Sequence, residues 1–371
     1  MDKPIRLGVL FGGRSGEHEV SLVSARSVLN TLDPQKYHIT EIGITLEGDW
    51  LVGEKTLDLL SEKNVDQLSR AGMLPIPSRT DVYTITASDQ GEMLQVFAEL
   101  DVVFPVLHGS FGEDGTIQGL FELADIAYVG AGVLGSSVGM DKALFKDVMI
   151  ANDIPVAPSI LVHRIELELM DDVLNRVAAF AEYPVFVKPA NMGSSVGVHK
   201  CHDIEEVAVG LQDAARFDRR ILVEKGVNAR EIELSVLGNL SPRVSVPGEI
   251  RPTAEFYSYE AKYHDDSSEL IIPADLDDEQ TRQFQEYALR AYQAIDCAGM
   301  ARVDFLLEKD SGEIFLNELN TIPGFTPISM YPKLWEASGL PYKDLIDELI
   351  LLALKRKEEK DQLLRKYDFK T

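Results

Sequence analysis

Four polar residues in two short apolar runs have the types and spacing to do chemistry. They are Arg302 and Asp304 in RVDFLL (Arg302 to Leu307), and Glu318 and Asn320 at the end of IFLNELN. Side chains alternate faces along a strand, so each pair shares a face. If the two runs pair as neighbours, one face carries all four. Two carboxylates and an amide oxygen are hard ligands, suited to Mg²⁺ when phosphates complete its shell. An arginine beside them could clamp an oxyanion or a phosphoryl group in transfer. An ionic network on an exposed sheet face would use the same residues, and the spacing alone does not choose.

Other stretches add candidates. GSSVG occurs at Gly135 to Gly139 and again at Gly193 to Gly197, the second time after VFVKP with its Lys188. Glycine loops approach ligands closely, and their backbone N–H groups can cradle phosphate. Neither copy is a Walker A loop, because no lysine follows directly, and GGRSG (Gly12 to Gly16) is no dinucleotide fingerprint. With the carboxylate face, they suggest a nucleotide site of neither common type. HGSFGEDG (His108 to Gly115) is a polar loop after a strand. His108 could orient a substrate or simply bond to backbone there. Glu17 begins a helix, where a carboxylate is favoured anyway, yet it could bind an ammonium group. SYEAKYHDD (Ser258 to Asp266) reads as a loop able to close over a reactive intermediate.

These residues need elements to hold them. Strands are expected at Ile5 to Phe11, Tyr37 to Ile44, Asp101 to Leu107, Ile126 to Val129, Val185 to Pro189 and Ile221 to Glu224, and again around the carboxylate runs. Helices are expected from about Ser15, at Thr281 to Ala298, and in the charged C-terminal stretch. Val244 to Leu270 reads as loop. The first part is therefore α/β with a parallel sheet, its site beyond the strand ends, and the latter half is α+β. A chain of 371 residues implies two or three domains. A net charge of −25 argues against a nucleic-acid surface. Two cysteines make neither a metal motif nor a disulfide framework, and no apolar run is long enough for a signal or a membrane span. A cytosolic protein is the expectation.

GGRSGEHEVS, LHGSFGEDG, VKPANMGSSVG, YEAKY, RVDF and NELNTIPG, in this order along nearly the whole chain, resemble the D-alanine–D-alanine ligase family of the ATP-grasp superfamily. The resemblance implies three domains, near 1–125, 126–222 and 223–371, with a lid at about 250–270 and ATP held between the second and third. It implies phosphorylation of one D-alanine by ATP, then attack by the amine of a second. Glu17 resembles the group that binds the first ammonium, and His108 the histidine beside the first carboxylate. Ser194 and Tyr263 resemble the serine and lid tyrosine that act with Glu17, and Lys262 a phosphate-contacting lysine. Arg302 and Gly324 match the oxyanion pair, and Ser329 and Met330 the place of the second carboxylate. Asp304, Glu318 and Asn320 match ligands of two Mg²⁺ (or Mn²⁺) ions. Lys142 and Lys188 match lysines on the phosphates, and Glu224, Lys225, Val227 and Glu231 the adenine and ribose pocket. The family also implies peptidoglycan precursor synthesis in a bacterial cytoplasm by a homodimer. The intact YEAKY favours an amine over a hydroxy-acid nucleophile. A ligase for a larger amino acid, or a nucleotide-binding regulatory module, would be expected to lack part of this set.

Overall fold

The computed structural model describes residues 3–77, 79–193, 195–251 and 269–364. Three sheets organise it. The first contains β1 (Ile5–Gly12), β2 (Tyr37–Ile44), β3 (Trp50–Val52), β4 (Ser69–Met73), β5 (Asp81–Ser88), β6 (Gly91–Glu99), β7 (Val102–Val106) and β8 (Ala127–Tyr128), in the order β6-β5-β4-β3-β2-β1-β7-β8. Pairing is parallel from β2 to β8, as expected, but β3 to β6 extend the sheet antiparallel. This extension departs from the all-parallel expectation. β5 and β6 join through a tight turn, and β3 reaches β4 past the short helix Thr56–Ser61, but each strand pairs antiparallel with its sequence neighbour, so no crossover to a parallel strand is needed.

Helix α1 (His18–Thr31) follows β1 and buries Leu22, Ala25 and Val28 against it. α2 (Thr56–Ser61) covers the same side, and α3 (Thr116–Ala124) packs Phe121 on the other. The second sheet, β11-β10-β12-β9, comprises β9 (Ser159–His163), β10 (Val185–Pro189), β11 (His199–Cys201) and β12 (Arg220–Lys225). It is backed by α6 (Met170–Phe180) and α7 (Ile204–Ala214). α4 (Val133–Met140) and α5 (Lys142–Ala151) lead into it.

The third sheet holds β13 (Ala229–Gly238), β14 (Arg243–Val244), β15 (Gly248–Arg251), β16 (Glu269–Ile271), β17 (Gly299–Glu308) and β18 (Ile314–Asn320), with β13-β17-β18 antiparallel at its centre. β15 lies inside the stretch read as loop. Helix α8 (Asp278–Ala294) starts at an Asp277/Gln280 capping box and packs Phe284 edge-on to Phe305. α9 (Met330–Ala337) and α10 (Tyr342–Asp361) finish the described chain. α10 returns to the first sheet, where Leu345, Ile346, Leu349 and Ile350 join the core of Leu7, Val9 and Phe104. The first and last parts of the chain thus share one core. No helix among the described residues is long and apolar enough to cross a membrane.

Candidate active site

The polar face predicted from strand alternation exists. Arg302 faces Asn320 across β17 and β18, and Asp304 faces Glu318. The reverse face sends Val303, Phe305 and Leu319 into the core against α8. Alternation alone does not produce this face. Leu316 and Leu319 are both buried in that core although an odd number of steps separates them. The register shifts between Asp304 and Phe305, so Asn317 stands as the extra residue of a bulge. Without it, Leu316 would share the face of Glu318 and Asn320.

β13 adds a third row. Glu233 lies opposite Asp304, and its Oε2 is 3.0 Å from Arg302 Nε. Arg302 also grips Asp304 with two bonds, Nε to Oδ1 at 2.7 Å and Nη2 to Oδ2 at 2.6 Å. Burial opposes the charge on Arg302, but Asp304 and Glu233 more than offset it and hold its pKa well above the ordinary value. The guanidinium is thus fixed in place and permanently cationic. Asn320 Nδ2 donates to Asp304 Oδ2 at 3.0 Å. Glu233 was missed in the sequence, although the EIE alternation in NAREIELSV puts it on the face of Glu231.

The second sheet and α5 supply cations. Lys188 Nζ on β10 lies 2.6 Å from Glu224 Oε1 on β12, and Lys146 Nζ on α5 lies 2.6 Å from Oε2. Burial would raise the pKa of Glu224, but Lys188 and Lys146 draw it down to about 2. Lys142 Nζ reaches the Met192 carbonyl at 2.6 Å and sits 3.9 Å from Glu318 Oε2, so it links the two sheets. Lys225 is exposed, and its N–H is taken by the Pro158 carbonyl. The Val227 N–H has no hydrogen-bond partner among the described residues. Glu231 is half-buried on β13, on the same face as Glu233. Lys146 was also missed; a lysine in an amphipathic helix reads as a solvated residue.

Glu17 precedes α1 and is almost buried. Its carboxylate is bordered by Gly109 and Gly193. A Cβ at Gly193 would lie 2.7 Å from Glu17 Oε2, and one at Gly109, where φ is +72°, would collide with the same oxygen. His108 is fixed at both ring nitrogens. Nδ1 lies 3.0 Å from the Ile322 carbonyl and Nε2 3.1 Å from Ser24 Oγ. With Nδ1 donating, the neutral ring accepts from Ser24 at Nε2. Burial keeps the imidazole below its usual pKa, against the pull of Glu17 and the Ile322 bond and helped by Arg302.

Gly324 is half-buried in the loop after β18, its Cβ direction facing Ser329 Oγ. Ser329 stands at the N-terminal boundary of α9, and its Oγ accepts from the Thr326 N–H at 3.1 Å. The Met330 side chain points away into a cluster with Ile250 and Leu334, so only its backbone is left for a substrate. The first GSSVG copy is no phosphate loop. It lies within α4, where Gly135 and Gly139 let the helix approach Cys297 and Thr321. Ser194, Lys262 and Tyr263, with nearly all of the expected lid, lie outside the described residues.

The residues present suit a divalent cation. Asp304, Glu318 and the Asn320 amide are hard donors on one face, beside lysines that would share phosphate charge. Among the described residues no group of three or more His, Cys, Asp or Glu forms a self-sufficient metal cage.

A carboxylate row on one sheet, with Lys188 on a second sheet and Lys142 on the helix that leads into it, defines an ATP-grasp enzyme, a ligase that couples ATP to bond formation. Residues 6–131 match the family model described as D-ala D-ala ligase N-terminus, and 148–351 the one described as D-ala D-ala ligase C-terminus. The chain is 49% identical over 366 residues to a D-alanine–D-alanine ligase of Ruminiclostridium cellulolyticum, covering 95% of this chain and 96% of that one. The solved D-alanine–D-alanine ligase of Coxiella burnetii superposes with a TM-score of 0.80 at 37% identity, with 98% of each chain covered. The VanG D-Ala:D-Ser ligase of Enterococcus faecalis gives 0.81 at 34% identity, covering 95% of this chain and all of that one. This protein belongs to the D-alanine–D-alanine ligase family.

Proposed function

We propose that this chain joins two D-alanine molecules into D-alanyl-D-alanine, with ATP converted to ADP and phosphate through a D-alanyl phosphate. The observation that carries the reading is Arg302, held between Asp304 and Glu233 on the face it shares with Glu318 and Asn320. A carboxylate is a poor electrophile, and phosphorylation supplies a leaving group. The negative charge that builds up on attack then needs a fixed cation and a backbone donor. Arg302 and the Gly324 N–H take those roles. Glu17 binds the ammonium of the first D-alanine. Its carboxylate lies beside His108, whose ring is committed to protein partners and so shapes the pocket without moving protons. Ser329 and the backbone of Met330, at the start of α9, receive the second carboxylate.

Lys142 and Lys188 contact phosphates, Val227 and Lys225 border adenine, and Glu231 accepts from the ribose. Glu224 acts from behind by holding Lys188. Ser194, Tyr263 and Lys262 complete the first-substrate site and the lid. Two Mg²⁺ (or Mn²⁺) ions on Asp304, Glu318 and Asn320 would neutralise phosphate charge. Three domains near 1–125, 126–222 and 223–371, a homodimer, and a cytoplasmic role in supplying a peptidoglycan precursor belong to the same reading.

The test is product analysis by mass spectrometry with ATP, Mg²⁺ and D-alanine, in competition with D-lactate and with D-serine, while phosphate release is followed. D-Alanyl-D-alanine as the main product supports the reading. A depsipeptide or a D-serine product keeps the phosphoryl chemistry and overturns the assignment of the second site.

A further inference from the structure

We propose that Glu113 is a positioning residue: its carboxylate ties the loop carrying Gly324 to the loop that borders the first substrate, and so sets where the activated acyl group and the oxyanion donor meet. The inference rests on the ligase reading above and adds a residue to it.

Glu113 lies in HGSFGEDG, and each of its oxygens accepts one backbone N–H. Oε2 takes Gly109 N at 2.8 Å, and Oε1 takes Ile322 N at 3.1 Å, across 209 residues of chain. The Ile322 carbonyl accepts from His108 Nδ1. Both polar atoms of Ile322, two residues before Gly324, are therefore held by one short loop. At its other end that loop puts Gly109 against Glu17.

The two oxygens of one carboxyl group offer an acceptor to each of two diverging N–H groups. Its location is costly. Burial and the nearby charge of Glu17 push its pKa up to about 8, while the two N–H bonds and Arg302 work the other way. Glu113 is thus in electrostatic reach of both Glu17 and Arg302. A simple brace between loops needs no carboxylate beside a second one. The position suits a group that registers the ammonium site against the oxyanion site, where a shift of about 1 Å can cost about a hundredfold in rate.

The test uses the full chain with Glu113→Gln and Glu113→Asp, following ADP release and dipeptide together with ATP, Mg²⁺ and D-alanine. Wild type should give one ADP per dipeptide. If it forms no dipeptide, the ligase reading fails, and this proposal with it. With an active wild type, Glu113→Gln presents an amide to one of the two N–H groups. It should lower kcat about 10- to 100-fold, leave the KM for ATP within about twofold, and release ADP in excess of dipeptide. The excess arises because a misplaced D-alanyl phosphate reacts with water to return D-alanine and phosphate. Glu113→Asp keeps a carboxyl group but is one methylene too short to reach both donors, so it should not restore the coupling. It also serves as the reading if the glutamine variant fails to fold. An ADP-to-dipeptide ratio that stays at one in a folded variant overturns the proposal, whether the rate is unchanged or falls in step with stability.

Discussion

Glu224→Gln is the sharpest perturbation of the phosphate side. Glu224 is only 3% exposed, and both its oxygens lie 2.6 Å from ammonium groups. Its pKa falls from 4.5 to about 2 in the folded chain, and each unit is worth about 1.4 kcal/mol, so its charge contributes about 3 kcal/mol at neutral pH. The glutamine variant is isosteric but leaves Lys146 and Lys188 facing each other without a counter-ion. Burial and Lys188 already pull Lys146 below its ordinary pKa, and without Glu224 nothing offsets that cost. The expected loss is about 2–3 kcal/mol by urea unfolding near neutral pH, with a raised KM for ATP because Lys188 is no longer held. The sign with pH follows from the depressed value. The contribution is complete above about 4.5 and declines as pH falls toward about 2. The gap between wild type and variant should therefore be flat around neutrality and narrow only in acid. Adding Lys146→Met should recover part of the loss, because it removes the stranded charge. A variant within about 0.5 kcal/mol of wild type, or a gap that widens in acid, refutes the assignment of this triad as a buried ionic support.

Arg302→Ala should lower kcat about 10²- to 10³-fold while the Kd for ATP, read by calorimetry, changes far less; comparable losses in both would remove it from the transition state. Glu318→Gln should raise the Mg²⁺ concentration needed for half-maximal activity, and an unchanged titration would take Glu318 out of the metal site. His108 is held neutral by burial, so its contribution to stability is complete above the ordinary value of 6.5 and is lost as pH falls below it. His108→Asn should flatten that part of the pH–stability curve, and a curve that keeps its slope would point to another group.

Much of the candidate site was legible because its residues cluster in short polar interruptions of apolar runs. RVDF and NELN place a carboxylate where a buried strand would otherwise be apolar, and their alternation predicts the shared face of Arg302, Asp304, Glu318 and Asn320. Strands at Tyr37–Ile44 and Val185–Pro189 fall where apolar periodicity put them, because local pattern and burial agree there. The antiparallel extension of the first sheet was illegible for the opposite reason. Its outer strand β6 is exposed on both faces, so no buried face imposes an alternation on its sequence.

Residue types, their order and the family were thus determined by the sequence alone, since each depends on chemistry carried within a few neighbouring positions. The phase of β18 was decided only by pairing with β17: the bulge at Asn317 lets Leu316 and Leu319 both enter the core while Glu318 and Asn320 stay in the site. Tertiary structure alone also brought Glu113 to Ile322, Glu233 to Arg302, and α10 back to the first sheet. These contacts join segments far apart in the chain, and a residue's local pattern holds no record of which distant partner will satisfy its charge or cover its apolar face.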